Sequence, residues 1–286
     1  MSSSSPNPSK AQRRDAARAQ ALALKKKQEA ADKRARTITL SLLGVVLLAL
    51  IAVVAWLFIR DHNNNAANAV DTNMPLSQVQ NVPSTAGADG GITISDARAA
   101  GGTANSAVPT VGIYFDYMCP ICGQFEQLNQ DALEAFLKDG TANVVMFPVS
   151  ILDRQSQGTN YSTRAGSAAA WVADKAPDKF LDFHEALFAN EPKEQTAGHT
   201  DKEIADLARQ AGVPDSVAAG IENGDARRTF GQWITSATLS ATSNSGLNNP
   251  QSGGFGTPTI TIDGKRWDGN WTVPGTLAQA VADATK

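Results

Sequence analysis

Cys119-Pro120-Ile121-Cys122 contains both cysteines of the 286-residue chain. Two thiols separated by two residues can open and close a disulfide within one helical turn, which suits electron exchange with other thiols. Pro120 fits the first position of a helix, where its missing N–H is no loss. Cys119 would then stand at the helix N-terminus, whose unpaired N–H groups and dipole favour a thiolate. A free thiol of pKa ~8.5 is lowered to about 3.5–7.5 in such settings, so Cys119 is the expected attacking or attacked sulfur. Cys122, one turn in and on the side of Phe125, is expected to be buried and to act as the resolving thiol. Two other uses of the pair are an inert disulfide and half of a zinc site. So short a loop restrains little chain entropy. Zinc takes about four ligands, and only His62, His184 and His199 offer imidazole elsewhere, without paired spacing. No metal is expected.

The surrounding pattern supplies the elements that must position this pair. Thr110-Val111-Gly112-Ile113-Tyr114-Phe115 reads as a buried strand just before it. Ile121, Phe125, Leu128, Ala132 and Phe136 recur at three- and four-residue steps, predicting a helix that stops at Gly140. Asn143 to Phe147 reads as a second strand ended by Pro148. Residues 160–246 carry helical stretches at Ala165–Ala173, Lys179–Ala189, Lys202–Gln210 and Arg227–Leu239. Thr257 to Ile262 is strand-like, Asp263-Gly264 is a hairpin turn, and Arg266-Trp267 starts the return strand. Leu277, Ala280 and Val281 suggest a closing helix. The fold class is α/β, one domain with helices inserted in its middle.

Phe115-Asp116-Tyr117-Met118-Cys119-Pro120-Ile121-Cys122, Lys179 to Asn190 and Gly256-Thr257-Pro258-Thr259 together resemble the DsbA-like thiol:disulfide oxidoreductases of bacterial envelopes. The resemblance covers residues 91–286. It implies a thioredoxin fold with an inserted helical domain at about 160–246, and a redox-active Cys119-Cys122 disulfide without any other cofactor. It also implies a cis-proline at Pro258, with Thr257 before it offering backbone hydrogen bonds to an extended substrate. The implied activity is dithiol oxidation of exported, unfolded polypeptides. The implied reoxidant is a quinone-linked membrane partner of the DsbB or VKOR type. Alternatives are a disulfide isomerase or reductase, and a membrane-tethered chaperone-like binding domain. Pro120, Ile121 and Asp116 are candidate modulators. Ile121 stands where the best-known members carry histidine, so Cys119 should be lowered less extremely than in those members. Asp116 could raise Cys119 or relay protons, or be a solvated or capping carboxylate.

Charge and hydropathy divide the chain. Residues 1–36 hold ten Lys or Arg against three Asp or Glu, whereas residues 61–286 hold 14 against 25. An acidic body of that size argues against nucleic-acid binding. Between them Thr39 to Ile59 contains no charge, and 21 such residues span roughly 30 Å, enough to cross a bilayer. The expected order is a basic cytoplasmic tail (1–36), a transmembrane anchor (37–60), a flexible linker (61–90) and the catalytic domain (91–286). Basic residues before the span place the N-terminus in the cytoplasm and the domain outside the cell membrane. A cleaved signal peptide is the competing reading, with Ala67-Asn68-Ala69 resembling a cleavage site. His184 is expected to be a packing residue without a catalytic partner. Trp267 and Trp271 are expected in the core or hairpin, with a substrate groove as the other possibility. His62 and His199 are expected in solvent.

Overall fold

The computed structural model describes residues 70–285, with positions 18, 22, 24–28, 33, 34, 36 and 43–55. The chain divides into two units between Ala66 and Ala67. In the first, residues 43–55 are helical with exposed side chains. Among the described residues no helix is long and apolar enough to cross a membrane. The expected span covers 39–42 and 56–59 as well, which lie outside the described residues, as do most of the basic tail, His62 and positions 61–69.

The second unit is built on a five-stranded sheet. Its strands are β1 (Ile92–Ile94), β2 (Thr110–Phe115), β3 (Asn143–Pro148), β4 (Thr259–Ile262) and β5 (Lys265–Arg266), in the order β1-β3-β2-β4-β5. β2 runs parallel to β3 and antiparallel to β4. The crossover between the parallel pair is helix α1 (Pro120–Asp139). Central β2 and β3 read as continuous apolar runs because both faces are covered, and all of β3 is buried. Gly112 lets β4 come close: a side chain there would collide with Thr261 Oγ1. Asp263 and Gly264 both adopt positive φ, 49° and 74°, as the expected two-residue hairpin turn requires.

The helical block comprises α2 (Tyr161–Lys175), α3 (Phe180–Ala189), α4 (Asp201–Gln210), α5 (Asp215–Glu222) and α6 (Asp225–Ser243), and α7 (Thr276–Ala284) closes the domain. α2 and α6 pack closely at Gly166, where an added Cβ would stand 3.0 Å from Ile234 Cδ1. Thr200 and Glu203 form a reciprocal capping box that starts α4. Buried Arg164 ties α2 to α4 through Asp201 at 2.7 Å and the His199 carbonyl at 2.7 Å.

Three features differ from the sequence reading. β1 and α5 were not expected, and both are short. From Val70 onward the stretch read as a flexible linker is docked on the domain. Asp71 and Gln232 exchange two hydrogen bonds of 2.7 and 2.8 Å, and Ser84 N–H donates to Asp174 at 2.8 Å. Leu76 and Val79 add apolar contact with the core, which a composition rich in Ala, Asn and Ser concealed. In α1, Ile121 and Leu128 are 51% and 50% exposed, so they leave the expected apolar stripe. Asn129 is buried instead, its amide donating to the Phe125 carbonyl at 3.0 Å and the Trp271 carbonyl at 3.3 Å.

Candidate active site

The β2–α1 junction is fixed from below by aromatic rings. Phe115 meets Tyr117 edge-on at 5.1 Å and His184 at 4.8 Å, and Tyr117 lies 5.0 Å from Phe188. Such pairs add about 0.5–1.5 kcal/mol each beyond their buried area. They couple α3 of the helical block to the segment that presents the cysteines. His184 is buried as expected, yet it has partners. Tyr117 Oη lies 2.9 Å from Nδ1 in a hydrogen bond, and Glu126 Oε1 lies 3.0 Å from Nε2, close enough for an ion pair when the ring is protonated but not aligned as a hydrogen bond.

Asp116 is fully buried, which overturns its reading as a solvated carboxylate. Its two oxygens accept the N–H groups of Met118 and Leu152, each at 2.9 Å, tying the cysteine segment to the loop after β3. Burial raises its carboxyl to about 7, against the opposing pull of the Ser162 hydroxyl first and then of these two N–H groups. Its own carbonyl accepts the Cys119 N–H at 3.0 Å.

Cys119 is the N-cap of α1, with φ −96° and ψ 107°, and Pro120 occupies N1. The two cysteines are not joined by a disulfide. Cys122 is 1% exposed and Cys119 5%, so the outer sulfur is far more covered than a free-standing nucleophile. Across from it the Thr257-Pro258 peptide is cis, and Cys119 Sγ lies 3.3 Å from the Thr257 carbonyl oxygen, to which it donates only when protonated. Thr257 and Pro258 thus come together with the two cysteines, although far apart in sequence. Thr259 and Arg266 hold that loop: Thr259 Oγ1 donates to the Gly256 carbonyl at 2.7 Å and accepts from Arg266 at 2.6 Å. Trp271 packs on Phe125 of α1 at 5.6 Å, and Trp267 and Trp271 both border the core.

The thiols are driven apart in acidity. Cys119 is lowered to about 6, first by the hydrogen bond from the Cys122 thiol, with lesser help from the Thr257 side chain and the N–H groups of Cys122 and Ile121; burial opposes this. The helix end is therefore a secondary influence, and the neighbouring sulfur the principal one. Cys122 is raised well above an ordinary thiol, first by burial and then by its bond and charge interaction with Cys119. At neutral pH the pair is one thiolate beside one thiol.

Sequence reasoning missed Glu191. It follows α3 and lies against Gly123 in the first turn of α1. A glycine inside an otherwise amphipathic helix is the one signal of that close approach. Beside Pro120, α1 and α3 border a groove of about 750 Å³ lined by Gln124, Glu126, Glu185 and Glu191. His199, expected in solvent, is half-buried with its ring 5.9 Å from that of Tyr161. Among the described residues no group of three or more His, Cys, Asp or Glu could hold a metal ion.

Residues 98–280 match the thioredoxin family model. The chain belongs to the thioredoxin family. The mixed sheet flanked by helices is that fold. Over 183 residues the chain is 31% identical to the serine/threonine-protein kinase PknE of Mycobacterium tuberculosis, which covers 61% of this chain and 30% of that protein. The chain thus matches about 30% of the length of these curated relatives. Among solved thioredoxin-like structures, DsbA from Mycobacterium tuberculosis is 25% identical, with a TM-score of 0.53 over 68% of this chain and 92% of that one. The MdbA thiol-disulfide oxidoreductase from Actinomyces oris is 22% identical, with a TM-score of 0.57 over 77% and 99%. DsbG from Mycobacterium tuberculosis is 24% identical, with a TM-score of 0.54 over 69% and 88%.

Proposed function

We propose that this thioredoxin-family chain is a thiol:disulfide oxidoreductase, acting as a dithiol oxidase on unfolded polypeptides outside the cell membrane. The observation that carries the reading is the placement of the pair: Cys119 caps α1 with Cys122 one turn in, opposite the cis Thr257-Pro258 peptide and 3.3 Å from the Thr257 carbonyl, an arrangement that lowers Cys119 and raises Cys122. In the disulfide state a substrate thiolate attacks Cys119 Sγ, the S–S bond breaks, and Cys122 leaves with the electron pair and takes a proton. A second substrate thiolate then attacks the substrate sulfur of the mixed disulfide. Cys119 departs as a thiolate, and its low pKa makes it the better leaving group. Two electrons pass from the substrate dithiol to the enzyme pair. The Thr257 carbonyl and cis-Pro258 flank the sulfur where an extended substrate backbone would lie. A quinone-linked membrane protein of the DsbB or VKOR type removes the electrons again.

The apolar run Thr39 to Ile59 anchors the chain with its N-terminus inside, next to that reoxidant, where tethering raises the effective concentration. Labelling of Cys119 in intact cells by a membrane-impermeant maleimide after treatment with a membrane-impermeant phosphine supports this placement, and labelling only after lysis contradicts it.

Refolding of reduced ribonuclease tests the activity. With oxidised glutathione present as terminal oxidant, catalytic amounts of the chain should speed recovery of ribonuclease activity, Cys119→Ala should abolish that acceleration, and Cys122→Ala should accumulate mixed disulfides. Refolding help that survives Cys119→Ala would instead identify a binding domain.

A further inference from the structure

Glu191 brings its carboxyl against Gly123 in the first turn of α1, the helix that Cys119 caps. Oε2 stands 2.5 Å from where a Cβ on Gly123 would be, so glycine there makes room for it. Oε1 is buried and has no hydrogen-bond partner. The groups acting on it by charge are Cys119 at the N-cap of α1, Asp116 in the β2–α1 segment and Glu194 in its own loop, and Tyr161 of α2 interacts with it as well. On the groove side the ionisable neighbours are Glu126 of α1 and Asp182 and Glu185 of α3. All of these are neutral or negative. A desolvated carboxylate with an unpaired oxygen among potential anions favours its neutral form.

We propose that Glu191 is the proton site linked to the cysteine couple: it gives up its proton when the pair is a disulfide and holds it when Cys119 is a thiolate. The inference rests on the redox reading of the pair. In the dithiol state burial, then the charge of Cys119, raise Glu191 to about 8, above Cys119 at about 6. At pH 7 the reduced protein therefore combines a Cys119 thiolate with a Glu191 carboxylic acid. Oxidation removes the thiolate charge, and with it that part of the upward push.

The exchange then balances within the protein. A substrate dithiol loses two electrons and two protons and becomes a disulfide. The enzyme disulfide breaks; Cys119 keeps an electron pair as thiolate, Cys122 takes one proton and the Glu191 carboxylate takes the other. No proton passes to solvent. Glu191 acts through the charge on Cys119, as a positioning residue for the proton.

The test is equilibration of the full chain and of Glu191→Gln with glutathione from about pH 6.5 to 7.5, where glutathione thiols of pKa ~8.5 stay neutral. At a fixed glutathione ratio, the reduced-to-oxidised ratio of the wild type should change by less than about threefold across that unit. In Glu191→Gln it should rise about tenfold, because each reduction now releases one proton. In the reduced wild type Cys119 and Glu191 share a proton, so Cys119 should titrate over a broad range reaching above 6, whereas in Glu191→Gln it should titrate in a single step; identical single-step titrations would overturn the inference. An equal pH response in the two proteins overturns the inference and leaves the redox reading intact. A wild type that never equilibrates with glutathione overturns both. Infrared difference spectra check the wild type without reliance on the variant's folding: reduction at pH 7 should create a protonated-carboxyl C=O band, and its absence overturns the inference.

Discussion

Removing the Cys122 thiol should take away much of the acidity of Cys119. The hydrogen bond from Cys122 is the largest influence holding Cys119 at about 6, whereas an unperturbed cysteine stands at 9.0. Hydrogen bonds to charged groups contribute about 1.5–3 kcal/mol, and one pKa unit is about 1.36 kcal/mol. Cys122→Ala should therefore raise Cys119 by about one to two units. Cys122→Ser keeps an O–H donor at the same place and should stay within about half a unit of the wild type. The assay is the pH dependence of thiolate absorbance, or of alkylation, in the reduced protein. The midpoint is the quantity to read, because a less acidic thiolate is also intrinsically more nucleophilic and partly offsets its smaller population. A Cys122→Ala midpoint that stays near 6 would refute the reasoning and return the effect to the N-terminus of α1.

Asp116 offers a stability test. The folded protein keeps its proton up to about pH 7, while an unperturbed aspartate gives it up near 3.8. Its contribution is thus fully present below 3.8 and is lost as pH rises through 7, a difference of about 4 kcal/mol from three pKa units. Denaturant melts of Asp116→Asn should show a flatter fall between those limits, from a lower starting stability because one of the two N–H groups loses its acceptor; an unchanged slope contradicts the assignment. Arg164→Met removes one partner of the buried tie between α2 and α4. It should cost about 3 kcal/mol, the low end for such a loss because Asp201 is partly solvated, and lower Tm by about 6–12 °C. A scanning-calorimetry shift under about 2 °C would show that Arg164 contributes little.

Local signals carried the centre of the fold and the reacting pair. Pro120 at N1, Gly140 in the left-handed region and Asp263-Gly264 in the hairpin each mark a boundary through their own backbone preferences, and the structure has all three in place. Thr257 and Pro258 were legible only through family resemblance, since nothing local brings them to Cys119. What escaped depends on tertiary contact. β1 has three residues and gains its partner only by pairing with β3. α5 contains Gly220, which earns its place by lying under the Trp171 ring. Asp116 was legible as a carboxylate near the pair but not as a buried one, because its burial comes from the loop at Leu152 and from the helical block. Glu191 belongs to that block, and its role follows only from the fold laying α3 beside α1.

The most direct test follows from how little of Cys119 reaches solvent. The oxidised chain is treated with glutathione for a short interval, quenched with acid, and the glutathionylated cysteine identified by mass spectrometry. Modification of Cys119 with Cys122 free is expected, and Cys122→Ala treated with oxidised glutathione, which supplies the disulfide, should retain the adduct on Cys119 because no second thiol resolves it. Glutathione on Cys122, or on neither sulfur, would contradict an activated outer sulfur backed by a resolving thiol.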